Sequence, residues 1–99
     1  MNSGFILTSK EINAVVGGTT ALHLTVGNRN IEFTKLLLKG GAEPNGKGRF
    51  GNNPLHIAFM NKDSAMIFVL LDYGADLNLT NNDGYTPLFF GSHELLHSL

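Results

Sequence analysis

The chain has 99 residues, which leaves room for one small domain and none for a two-lobed enzyme. Seven basic and eight acidic residues give a net charge of −1, so no general electrostatic hold on nucleic acid or anionic lipid is expected. Hydrophobic residues at 42% argue against disorder, no run approaches the roughly 18 apolar residues of a membrane span, and the lack of cysteine excludes disulfide frameworks, Cys-based zinc sites and thiol nucleophiles. Met1-Asn2-Ser3-Gly4 has no basic stretch followed by a long apolar run, so no signal peptide is read. Glycine is over-represented, with twelve where about seven are expected.

In chain order, Phe5-Ile6-Leu7 reads as the tail of a helix. Thr8-Ser9-Lys10-Glu11 reads in two ways. It has the spacing of a capping box that opens a short helix. Lys10-Glu11-Ile12-Asn13 is also a worn copy of the segments at 41–45 and 74–78, one residue closer to the next Leu. Thr20, Asn53 and Thr86 are N-cap types, and Pro54 and Pro87 follow two of them at the first helical position, where a missing N–H costs nothing. A first helix is expected over about 54–60, a turn at Asn61-Lys62-Asp63, and a second helix carrying Met66, Ile67, Val69, Leu70 and Leu71. Ile31, Phe33, Leu36, Leu37 and Leu38 build its earlier counterpart. Gly41 and Gly74 end these second helices in the left-handed C-cap conformation. Gly51 and Gly84 fall in hairpin-like turns.

Sliding the sequence on itself by 33 residues gives twelve identities in 66 pairs, where about four or five are expected by chance. They include Leu22/Leu55, His23/His56, Gly41/Gly74, Ala42/Ala75, Asn45/Asn78 and Pro54/Pro87. T-A-L-H-L at 20–24, N-P-L-H-I at 53–57 and T-P-L-F-F at 86–90 recur in register with L-L-L-K-G-G-A-E-P-N at 36–45 and V-L-L-D-Y-G-A-D-L-N at 69–78. This pattern resembles the ankyrin repeat. The resemblance implies an all-α solenoid, a short curved stack of helix-turn-helix units joined by hairpin-like loops. The expected divisions are an N-terminal capping half-repeat at 1–17, repeats at 18–50 and 51–83, and a truncated C-terminal cap at 84–99. Helices of seven to ten residues are marginal alone, so each unit depends on its neighbours.

His23 and His56 first suggest metal or acid–base chemistry. One repeat apart means about 10 Å in a stack of helices, too far for one ion whose His ligands sit near 2 Å. In the resembled family this His is structural, tying repeats through backbone and Thr hydrogen bonds, so Thr20, His23, Pro54, His56, Thr86, Pro87, Gly41 and Gly74 are assigned structural roles. His93 and His97 form a literal H-E-L-L-H, but no third ligand follows, so a polar helix face is expected there. Gly46-Lys47-Gly48 lacks the rest of a phosphate loop. Asn45 and Asn78 are expected to hydrogen-bond turn backbone. No catalytic constellation, cofactor site or metal site is assigned, and the resemblance implies a binding module rather than an enzyme.

In the resembled family, partners dock on the hairpin tips and the adjoining first-helix face. By position this gives Lys47, Arg49, Phe50, Asn52, Met60 and Asn61 in the middle repeat, and Thr80, Asn82, Asp83 and Tyr85 in the third, with Tyr73 near the same face. Phe50 and Tyr85 also stand out locally, because nothing at a turn needs an aromatic ring. Two roles stay open for them: partner contact, or packing on each other across neighbouring tips. Lys47 and Arg49 make one tip basic, while Asp76 and Asp83 make the next acidic. The expected function is a small stand-alone adaptor or inhibitor that binds another protein, cytoplasmic, or in a host cytosol if it is an effector of an intracellular bacterium or virus. The initial Met and degenerate ends suggest a complete short protein. The alternative is weak self-association through Leu95, Leu96 and Leu99.

Overall fold

Helices start where a side-chain oxygen can take an orphan N–H, and the computed structural model, which describes residues 8–91, shows such a cap at each of the first five α-helices. Helix α1 spans Ser9–Ile12, α2 Ala21–Gly27 and α3 Ile31–Lys39; a 3-10 turn at Arg49–Gly51 precedes α4, Pro54–Met60, and α5, Ser64–Asp72. Residues 87–91 are helical as well and form α6. Thr20 caps α2, Asn30 caps α3, Asn53 caps α4 and Asp63 caps α5, each accepting the N–H three residues on. Past the second helices, Gly41 and Gly74 adopt φ +103° and +94°, the left-handed stop expected of them.

Both readings of the N-terminal segment hold together. Thr8 and Glu11 form the capping box of α1, with Glu11 Oε1 accepting the Thr8 N–H at 2.9 Å. Asn13 then does for the first repeat what Asn45 does for the second. Asn13 Nδ2 donates to the Gly41 carbonyl at 3.1 Å and its Oδ1 accepts the Glu43 N–H at 2.6 Å. Asn45 Nδ2 donates to the Gly74 carbonyl at 3.1 Å and its Oδ1 accepts the Asp76 N–H at 2.7 Å. The turn backbone that Asn45 holds therefore belongs to the next unit.

The units stack helix on like helix, α2 against α4 and α3 against α5. Leu22, Val26, Leu55 and Ala58 from the first helices meet Leu38, Met66 and Leu70 from the second, with Ile12 and Ala42 closing the core. Burying each of the larger side chains contributes about 1.5–3 kcal/mol. Helix α5 is apolar nearly all round. Met66 and Leu70 are buried, Ile67, Val69 and Leu71 half-buried, and Phe68 faces solvent. Thr34, fully buried on α3, satisfies its hydroxyl by donating to Thr25 Oγ1 at 2.9 Å. Arg29 and Lys62, in the two inter-helix turns, take φ +60° and +55°. Among the described residues no helix is long and apolar enough to cross a membrane. Phe5, Ile6, Leu7, His93, Leu95, Leu96, His97 and Leu99 lie outside the described residues.

Candidate functional site

The two histidines sit at the N-terminal turns of α2 and α4 and reach across to the following unit. His23 Nε2 donates to the Asn52 carbonyl at 3.0 Å, which leaves Nδ1 as an acceptor for the Thr20 hydroxyl at 2.7 Å. The same hydroxyl oxygen accepts the His23 N–H. His56 Nε2 donates to the Tyr85 carbonyl at 2.8 Å. Burial holds both imidazoles below their usual pKa of 6.5, against the opposing pull of those carbonyls; Lys47 adds to the lowering at His56. With both ring nitrogens of each residue engaged, neither presents a free ligand or base. Among the described residues no group of three His, Asp or Glu side chains is placed to hold a metal.

The tips interlock as well. Arg49 Nε donates to the Gly17 carbonyl at 3.0 Å, and Asn82 N–H donates to the Phe50 carbonyl at 2.9 Å. Gly48 presses so closely on the first unit that a Cβ there would lie 2.9 Å from His23 Cδ2 and Nε2. Asn81, which the sequence did not flag, organises the third tip. Its Oδ1 accepts the N–H groups of Asp83 and Tyr85, and its Nδ2 donates to Asn52 Oδ1 at 2.9 Å. The local string Asn81-Asn82-Asp83-Gly84 was an available turn signal. The other full copy has Gly48 at that position, so the repeat pattern does not single it out.

The candidate partner residues divide by what their side chains are already doing. Asn52 is half-buried and bonded to Asn81, and Asn61 Nδ2 donates to the Gly27 carbonyl at 3.3 Å while its own carbonyl accepts Arg29 Nη2. Tyr85 stacks on Phe89 with ring centroids 4.1 Å apart. Lys47, Arg49, Met60, Tyr73, Asn82 and Asp83 are exposed. Phe50 is 74% exposed and sits at φ +60°, a left-handed conformation that a bulky side chain rarely takes. It pairs with no aromatic ring among the described residues, so the expected alternative of packing on Tyr85 is not what the two rings do. Phe50 and Arg49 instead flank a cleft of about 260 Å³ between α2 and α4, lined also by Thr19, His23, Leu24, Asn52 and Ile57.

A family model for ankyrin repeats, three copies, matches residues 5–81. An ankyrin repeat protein of Rickettsia bellii (strain RML369-C) is 39% identical over 83 residues, covering 83% of this chain and 10% of that protein. Human protein phosphatase 1 regulatory subunit 27 is 39% identical over 85 residues, covering 84% of this chain and 55% of that protein. An ankyrin repeat protein of fowlpox virus (strain NVSL) is 43% identical over 58 residues, covering 58% of this chain and 17% of that protein. The chain thus spans little more than half of even the shortest of these three relatives. The match runs through the capped helices, the histidine ties and the asparagine bridges described above, and the chain belongs to the ankyrin-repeat family, whose repeats bind other proteins and are generally not enzymatic.

Proposed function

We propose that this chain is a small adaptor or inhibitor that binds a partner protein through its hairpin tips and the adjoining face of α2 and α4, with repeat units at 18–50 and 51–83 between shortened caps. One observation carries the reading: the Phe50 ring is held out into solvent on a left-handed backbone. Strained, non-glycine conformations persist where function uses them. Gly17, one period earlier, takes φ +62° without any side chain to strain it. Lys47, Arg49, Met60, Asn82 and Asp83 surround or extend this ring as exposed candidates, with Tyr85 exposed on the next tip and stacked on Phe89, while the half-buried Asn52 and Asn61 support the face. The rickettsial and fowlpox relatives favour a host-directed effector working in the host cytosol.

The test is Phe50→Gly. Glycine suits the φ, so the variant should melt at or above the parent temperature and yet lose capture of the partner from host-cell lysate. A well-folded variant that captures the same proteins would move the interface off this tip.

A further inference from the structure

We propose that the cleft between α2 and α4 receives an acidic side chain next to an apolar one, on an extended segment of the partner protein. This rests on the reading above and adds the partner's chemistry to it.

Arg49 is the reason. Its stem lies against Gly18 so closely that a Cβ there would come within 2.9 Å of Arg49 Cγ. Its Nε is fixed on the Gly17 carbonyl at 3.0 Å. The guanidinium is therefore held in one orientation before any partner arrives. Its two Nη groups carry four N–H donors, none of them used among the described residues, and no carboxylate pairs with it there. A guanidinium edge of that kind matches a carboxylate with two parallel hydrogen bonds. Holding it beforehand removes most of the ordering cost of binding. Arg49 thus stands at the cleft as a cation without a carboxylate partner among the described residues, although the whole chain carries a net −1.

The other half of the specificity is apolar. Leu24 is 56% and Phe50 74% exposed at the cleft, and Ile57 lies beneath them. The volume of about 260 Å³ falls below the roughly 300 Å³ at which small-molecule sites begin. It suits one large side chain of a peptide better than a metabolite. The exposed Asp83 on the following tip fixes the other end of the pattern and disfavours a uniformly acidic segment.

The probe is a set of extended peptides of about ten residues, in a Gly-Ser frame. Each has a central Phe or Leu flanked by Glu, by Gln or by Lys, and is titrated into the 15N-labelled protein. The Glu peptides should bind about tenfold more tightly than their Gln counterparts and should shift the amides of Leu24, Arg49 and Ile57. That preference should vanish in Arg49→Gln and shrink between about 0.05 and 0.5 M NaCl. If Arg49→Gln melts early, the salt series on the unaltered protein decides. Equal binding of Glu and Gln peptides, or no shifts at the cleft with any peptide, would overturn the proposal. Equal binding that is lost in Phe50→Gly would sink the acidic requirement alone and leave the docking face intact. Shifts confined to the outer sides of α3 and α5 would remove both.

Discussion

Asn53 gives the sharpest test of how the repeats are tied. With His56 Nε2–H committed to the Tyr85 carbonyl, a neutral His56 ring has only a lone pair at Nδ1. That lone pair takes the Asn53 N–H at 3.1 Å but also faces Asn53 Oδ1 at 2.8 Å, acceptor against acceptor. Asn53 Oδ1 is meanwhile needed by the His56 N–H at 3.1 Å, and Asn53 Nδ2 is buried without a partner among the described residues. Turning the amide over would give Nδ1 a donor and leave the His56 N–H without an acceptor. A primary amide cannot offer donor and acceptor from one atom, whereas a hydroxyl can. Thr20 does so at the equivalent site, donating to His23 Nδ1 while accepting the His23 N–H.

Asn53→Thr should therefore stabilise the fold. Removing a buried unsatisfied donor is worth about 1–3 kcal/mol, and exchanging Asn for the slightly weaker cap Thr returns a few tenths. The extended backbone at φ −92° and ψ 171° accepts a β-branched residue before Pro54. A net gain of about 1–2 kcal/mol follows, which raises Tm by roughly 4–8 °C for each kcal/mol in a domain of this size. Urea unfolding and calorimetry measure it, with Asn53→Ala as the control that loses the cap and destabilises. A double-mutant cycle with His56→Ala should show stronger coupling in the Asn53→Thr background. An Asn53→Thr protein no more stable than its parent would refute the hydrogen-bond argument.

Three further outcomes are expected. Asn45→Ala removes two bonds to the following unit and should cost about 1–3 kcal/mol in chemical denaturation, whereas exposed Asn78→Ala should stay within about 0.5 kcal/mol; equal costs would contradict the bridging role. Gly48→Ala drives a methyl into the His23 ring, which two hydrogen bonds hold still, and should cost about 1–3 kcal/mol; an unchanged Tm would show that the tip can yield. Both imidazoles have folded pKa values below 6.5 because they are buried. Their unfolded forms bind protons first, so stability is full above about pH 6.5 and is lost as pH falls through the folded values. The Tm should drop between about pH 7.5 and 5.5, and less steeply in His23→Ala; a flat profile would be inconsistent with neutral, buried rings.

Much of the architecture could be read locally because its punctuation is local. Pro54 after a cap residue, Asp63 before an apolar stretch and Gly74 after it set the limits of α4 and α5 within the sequence window that contains them. The left-handed turns at Arg29 and Lys62 have no signature in the sequence, since neither residue type announces a positive φ. The burial of Thr34 has no local signal, because its partner, Thr25, lies on another helix. Phe50 and Tyr85 could not be separated by sequence. Both are aromatic residues at turns, and what distinguishes them is ring direction. Tyr85 precedes α6 and falls back onto Phe89, while the left-handed backbone of Phe50 sends its ring outward.

That outward ring depends on the neighbouring unit. A left-handed residue with a side chain costs about 1–2 kcal/mol relative to the right-handed form, so an isolated tip would relax. Here the Phe50 carbonyl is held by the Asn82 N–H, and Gly51, at φ +73°, leaves no room for a Cβ beside the Asn82 backbone nitrogen 2.8 Å away. Gly48 N–H donates to the Asn52 carbonyl at 2.8 Å, and that same carbonyl accepts His23 Nε2. The tip is pinned by the unit before it and the unit after it, at separate atoms. Stacking thus does more than stabilise helices too short to stand alone. It fixes a strained exposed aromatic and a clamped arginine beside one cleft, a geometry that a single repeat could not maintain.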